Sequence, residues 1–210
     1  MYILLFLLET GCFLAGCLLW RKAWPLQYKM LVVLMGLTVL VERSAYVLGQ
    51  SYHQNVWLLN LFVPLESASY IFVFYRESAS PAFRWFCRCL LAVLFPAVLV
   101  TYLLHPHLFL FNLYGYIVGL FLLLLAAAAY FVEYMLGETD NNLTGHPLFW
   151  LAAGTIPFCC IHILLFSLLT YLVTMRVAYF YNANLLANLF LYGGLTGSFV
   201  SAHYKLPYPS

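Results

Sequence analysis

NVWLLNLFVPLESASYIFVFY, residues 55–75, is apolar from end to end except for a few polar side chains near its middle. A helix that crosses a bilayer needs about 20 mostly apolar residues, and this stretch supplies them. It carries one charged residue, Glu66, two positions after Pro64. Reading it as a membrane span therefore raises a second question: why a carboxylate sits near the centre of the hydrocarbon.

The rest of the chain agrees with that reading. It has 210 residues, 65% hydrophobic and only 8% charged, whereas soluble domains carry about 25% charged residues. A soluble core of this size could not hide so much apolar surface, so lipid must be the solvent. The formal net charge of +2 is too small to suggest nucleic acid, and no basic stripe with interleaved aromatics occurs. Cys12, Cys17, Cys87, Cys89, Cys159 and Cys160 show no CxxC spacing. They read as small buried apolar residues rather than a zinc or redox site. The first stretch lacks a basic n-region and holds Glu9 mid-run, so it reads as a retained helix rather than a cleaved signal.

Seven stretches are long and apolar enough to be spans: 2–20, 29–48, 55–75, 84–104, 113–135, 147–174 and 179–204. The expected fold is all-α, one polytopic domain over residues 1–210 with no soluble domain. Lys and Arg set its orientation. Arg21, Lys22 and Lys29 lie in the first loop, Arg76 and Arg84 in the third with Arg88 one turn on, and Lys205 in the tail. The second and fourth loops have none, and the sixth has only Arg176. This places the N-terminus outside and the C-terminus in the cytoplasm. The fifth loop is acidic (Glu138, Asp140), which counts little in this rule. Asn142-Leu143-Thr144 then falls in the cytoplasm, where a glycosylation sequon is coincidence. Trp20, Trp24, Tyr28, Trp57, Trp85, Trp150, Tyr179 and Tyr181 lie near span ends, as an interfacial belt.

Charged groups inside a span normally face the bundle interior or water. Glu66 lies near the middle of the third span, with Ser69 and Tyr70 on its face. Glu9 and Glu42 lie slightly outward in the first and second, and Thr38, Glu42 and Tyr46 make one stripe. Thr155, Cys159 and His162 make another in the sixth span, and Asn184, Asn188, Tyr192 and Thr196 follow i+4 spacing in the seventh. Turned inward, these stripes would line one polar cavity in the outer half. Arg43 points about 100° from Glu42 and is placed to bridge to Glu9 or Glu66. Glu133, near the inner end of the fifth span, is expected to snorkel. Two readings stay open for the set Glu9, Glu42, Arg43, Asn60, Glu66, Tyr70, His162, Asn184, Asn188 and Tyr192: a ligand or proton site, or interhelical hydrogen bonds that serve packing alone.

Pro64, Pro96 and Pro157 each free a carbonyl four residues earlier, that of Asn60 in the first case. Gly115-xxx-Gly119 and Gly193-xxx-Gly197 would allow close helix approach. His105-Pro106-His107 lacks a third ligand, so no metal and no cofactor is assigned. NVWLLNLF (55–62) is echoed by ANLLANLF (183–190), with Asn60 over Asn188. A parallel arrangement of three, one and three helices is compatible with that echo.

The third span's N-x4-N-x3-P-x-E (Asn55, Asn60, Pro64, Glu66), the Phe149-Trp150 opening of the sixth and Asn184-x3-Asn188-Leu189 in the seventh carry a resemblance. The chain resembles small bacterial seven-helix integral membrane proteins and is similar to the membrane input modules of sensor kinases. The resemblance implies the bacterial cytoplasmic membrane and a sensory setting, and it implies no chemistry. Microbial rhodopsins are set aside because the seventh span has no Schiff-base lysine. Sugar-transporting seven-helix proteins are set aside because no Pro-Gln pair occurs.

Three functions follow. The first is a sensory or accessory module with an outer-half polar cavity, acting through a membrane or cytoplasmic signalling partner or through self-association. The loops LGETDNNLTGH and RESASPAFR would dock that partner. The second is a small secondary transporter, proton-coupled through Glu66 and His162. The third is an intramembrane enzyme, although no HExxH, GxSxG or paired aspartates occur and no catalytic residue is assigned. Beyond the lipid bilayer and such a partner, none is expected.

Overall fold

The computed structural model describes residues 2–22, 24–52, 55–104, 111–136, 145–168 and 177–205. These form seven helices: α1 (Tyr2–Leu18), α2 (Leu26–Tyr52), α3 (Val56–Glu77), α4 (Pro81–Leu104), α5 (Leu113–Leu136), α6 (Pro147–Ser167) and α7 (Val177–Lys205). Helices α2 to α7 are each long and apolar enough to cross a membrane. Helix α1 is apolar but shorter, at 17 residues. The His105–His107 pair, the sequon and most of the acidic fifth loop lie outside the described residues.

Local chemistry sets several boundaries. Ser80 Oγ accepts from the Phe83 amide (3.3 Å) just before Pro81 opens α4, so α4 starts ahead of the expected Arg84. Pro147 opens α6 in the same way, after His146. Asn112 Oδ1 accepts from the Gly115 amide (3.0 Å) and caps α5. Helix α2 extends past the expected 29–48 at both ends, because the flanking polar residues are tolerated outside the apolar stretch.

Neighbour packing runs α1–α2–α3–α5–α6–α7 and back to α1, a ring of six helices. Helix α4 stands outside it, against α3 and α5. The ring interior is filled by fully buried Tyr28, Leu31, Met35, Tyr70, Phe74, Leu151, Leu195 and Phe199. The outer surface is apolar instead, with Leu7, Leu40, Leu61, Val93, Phe121 and Leu186 all exposed. Polar groups inside and bare leucines outside invert the soluble pattern and suit a lipid solvent.

The tightest crossing is α6 on α7. A Cβ built on Gly194 would lie 2.5 Å from the Trp150 carbonyl oxygen and 2.8 Å from Gly154 Cα. One on Gly154 would fall on the Phe190 carbonyl. Gly197 faces Trp150, but Gly193 meets nothing within 4 Å. The contact pair on α7 is therefore Gly194 and Gly197, one residue off the GxxxG register. In the other motif, Gly119 faces Ser67 of α3, while Gly115 makes room for the Asn112 side chain.

Two aromatic assignments change. Trp24 and Tyr28 are buried, 2% and 1% exposed, and Trp24 stacks on Phe199 at 6.1 Å. They plug one end of the ring instead of belting it, whereas Trp20, Trp57, Trp85 and Trp150 remain exposed. Among the cysteines, Cys12, Cys87 and Cys159 are buried as expected, but Cys17 and Cys160 are exposed. An apolar thiol is as compatible with a lipid-facing surface as with a core.

Candidate functional site: a carboxyl cluster between α1, α2, α3 and α7

Three carboxyls from three helices converge. Glu9 on α1 is 2% exposed and hydrogen-bonds with Glu42 of α2 and with Tyr192 of α7. Ionised carboxylates only accept, so the Glu9–Glu42 contact requires a proton on one of them. Glu66 of α3 hydrogen-bonds with Thr38 and lies in the field of Glu42 and Glu9. Thr38 Oγ1 also donates to the Leu34 carbonyl (3.0 Å). Glu42 stays exposed and Glu66 partly so, although both belong to this cluster.

The cluster has a floor. Tyr70, one turn past Glu66, is buried with its hydroxyl 4.0 Å from Met35 Sδ, next to Cys12 and Cys159. Cys12 in turn hydrogen-bonds with Thr196. Beyond this layer, Leu31, Phe74, Leu151, Leu195 and Phe199 leave no accessible surface. The α3 stripe thus faces inward at Glu66 and Tyr70. Ser69 does not join it, since its hydroxyl donates to its own helix at Leu65 (2.7 Å).

His162, Asn184 and Asn188 form a second group beside the first. His162 Nε2 lies 2.7 Å from Asn184 Oδ1, and Asn188 Nδ2 donates to the Asn184 carbonyl (2.9 Å) and to Oδ1 (3.3 Å). An amide oxygen only accepts, so Nε2 carries the proton and Nδ1 is a bare acceptor. That Nδ1 is buried without a partner. The ring is boxed by Phe158 (4.3 Å between centroids), Phe166 (5.8 Å) and Tyr116 (6.1 Å). Tyr116 also lies in the field of Glu66 and Glu42, so it stands between the two groups. Sequence reasoning passed over Tyr116 because it sits among leucines with no polar stripe of its own.

Two candidates go elsewhere. Asn60 Oδ1 accepts from the Asn112 amide (2.9 Å), and Asn112 Nδ2 donates to Thr101 (2.8 Å). Asn60 therefore fastens the start of α5 and is not part of the carboxyl cluster. Its carbonyl, freed by Pro64, accepts from the Tyr102 hydroxyl (3.0 Å). Asn60 and Asn188 thus have different roles despite the echoed sequence around them. Arg43 bridges to neither Glu9 nor Glu66, although its charge acts on the neighbouring Glu42. Its guanidinium lies 3.1 Å from the Phe6 ring centroid, a cation–π contact on the α1–α2 seam.

The end of the ring at Glu77 holds polar groups that sequence reasoning missed. Glu77 accepts from Gln27 and from the Tyr28 hydroxyl (3.1 Å), and His146 Nε2 lies 3.7 Å from it. Tyr130 reaches His146 Nδ1 at 3.5 Å. Glu77 continues the inward stripe of Glu66, Tyr70 and Phe74, and reading it as loop hid that. Both oxygens of Glu133 accept from Ser78 Oγ at the end of α3 (2.8 and 3.1 Å). His203 Nδ1 lies 3.0 Å from the Leu19 carbonyl and ties the ends of α7 and α1 at this side.

Fold and site together describe an all-helical bundle, six of its helices apolar enough to cross a membrane, with three carboxyls gathered between its helices. Among the described residues, no group of three or more His, Cys, Asp or Glu could hold a metal ion. No family model, curated protein or solved structure matches the chain.

Proposed function

We propose that this protein is a seven-span module of the bacterial cytoplasmic membrane, N-terminus outside. It takes a proton or a small organic cation in its outer-half crevice and acts through a signalling partner. The convergence of Glu9, Glu42 and Glu66 carries this reading. A structural knot would bury and pair every member. Here Glu42 and Glu66 keep accessible surface, and His162 keeps a bare buried acceptor. Exposing a charged side chain to hydrocarbon costs about 2.5–3.5 kcal/mol on insertion scales, so that surface is best met by water in an open mouth. The packed floor beneath makes access one-sided, which suits binding and signalling. Arg21 and Lys22 follow α1, Arg76 closes α3 and Arg84 opens α4, on the side of the ring where Glu77 meets Tyr28 of α2 and Ser78 accepts from Arg84. That asymmetry supports the orientation.

The test uses purified full-length protein in nanodiscs. Carboxyl C=O infrared difference spectra would be taken across a pH step, with and without tetramethylammonium. A carboxyl band that shifts with pH or cation, and disappears in Glu42→Gln and Glu66→Gln, is the expected result. Spectra unchanged by both conditions would leave the network as packing only.

A second reading, a small proton-coupled transporter using Glu66 and His162, draws on one observation. Glu66 and Glu77 lie on one face of α3, about three turns or ~16 Å apart, so the ring interior holds one polar station at mid-span and another near one end. Solute uptake by vesicles, abolished in Glu66→Gln, would favour it over the sensory module.

A further inference from the structure

A cavity of about 250 Å³ runs along the outside of the ring between α2 and α3. Leu26, Met30, Val33 and Leu37 line it from α2, and Ser69 and Val73 from α3, with Lys29 at one end. Leu26, Val33 and Leu37 are 58%, 55% and 47% exposed, so the groove opens toward the hydrocarbon. Its one polar wall residue offers nothing, because Ser69 spends its hydroxyl on the Leu65 carbonyl. The occupant must be apolar over this length. From Met30, next to Lys29, to Leu37 the helix rises about 11 Å, against about 15 Å for half of a ~30 Å hydrocarbon core. The apolar part of the groove therefore reaches through most of one leaflet.

Its end is basic. Lys29 Nζ donates to the Lys22 carbonyl (2.7 Å), which holds the Arg21–Lys22 segment at the mouth. An ammonium has three donors, so two remain. Among the described residues, no carboxylate lies within ion-pair distance of Lys29. An apolar slot through most of one leaflet, with a cation that has no carboxylate partner at its head, has the shape and charge of a phospholipid site.

We propose that this groove holds an anionic phospholipid of the leaflet that meets the α1–α2 connection. One acyl chain would lie along Met30, Val33 and Leu37, and the phosphate would meet Lys29. The site is independent of the acidic crevice, which lies on the inner faces of the same helices.

The full chain would be reconstituted with spin-labelled phosphatidylglycerol or phosphatidylcholine, and the motionally restricted fraction of each measured. A basic residue near a membrane surface favours anionic lipid by about fivefold. The wild-type protein should restrict the glycerol lipid about that much more strongly than the choline lipid. Lys29→Gln should bring the two toward parity. Val33→Trp, which fills a lipid-facing groove without touching the core, should remove one restricted lipid whatever its headgroup. Parity in the wild type, or no effect of Lys29→Gln, overturns the headgroup assignment and with it the proposal. If Val33→Trp leaves restricted lipid unchanged and lowers the cross-linked dimer fraction, a second copy covers the groove and the proposal also fails.

Discussion

Replacing Gly194 by alanine would set a methyl group 2.5 Å from the Trp150 carbonyl oxygen and 2.8 Å from Gly154 Cα. Both obstacles are backbone, so no side chain can swing away. Ordinary contact begins at 3.4 Å, and α6 and α7 would have to separate by about 1 Å to restore it. A gap of that size forfeits roughly a quarter to a half of the dispersion energy of each contact along the crossing. Overpacking of this kind costs about 1–3 kcal/mol. Gly193, the adjacent residue, meets nothing within 4 Å, so Gly193→Ala should be neutral or stabilise the helix by up to about 1 kcal/mol. The pair would be compared by equilibrium unfolding in mixed detergent micelles. The same separation would stretch the 2.7 Å His162–Asn184 contact, which bridges these two helices. The two variants should therefore differ in infrared response as well as stability. Equal stabilities for Gly193→Ala and Gly194→Ala, or a reversed order, would refute the α6–α7 packing and the site geometry built on it.

Tyr102→Phe should cost about 1–3 kcal/mol, because the Asn60 carbonyl freed by Pro64 loses its donor. In a Pro64→Ala background the helix supplies an amide again, so the same change should cost less than about 1 kcal/mol, and a double-mutant cycle would show the coupling. Asn112→Ala should cost about 1 kcal/mol as a lost cap, while leaving the carboxyl infrared response intact because it lies outside the crevice. Glu77→Ala strands the buried Tyr28 hydroxyl and should destabilise by about 1–3 kcal/mol in the same unfolding assay. Rescue by Glu77→Gln would show that hydrogen-bond acceptance, not charge, is what Tyr28 needs.

Several of these contacts could be anticipated from spacing and several could not. Pro64 announced a free carbonyl at Asn60, but its donor, Tyr102, comes from α4 and has no local link to it. Glu66 and Tyr70 were visible as one helical face. Glu77 lies on that same face and was missed because a charged residue beside Arg76 reads as loop. The glycines of α7 were visible as small residues, yet which of Gly193 and Gly194 touches α6 depends on helix rotation. Trp24 and Tyr28 sit where belt aromatics sit, and only the crossing of α1, α2 and α7 turns them inward.

Taken by itself, the amino-acid sequence determined the apolar, all-helical class and the position of nearly every helix. Those follow from local hydropathy and from the need of each backbone amide to bond within its own segment. It also supplied the polar residues of the crevice, because a carboxylate in an apolar run is conspicuous wherever it points. Tertiary structure alone decided which of them meet. Glu9, Glu42, Glu66 and Tyr192 converge while Asn60 leaves and Arg43 turns its guanidinium onto Phe6, because helix rotation and neighbour order are set by side-chain packing across the ring. That packing sums many weak contacts between residues distant in the chain, and no single stretch encodes it.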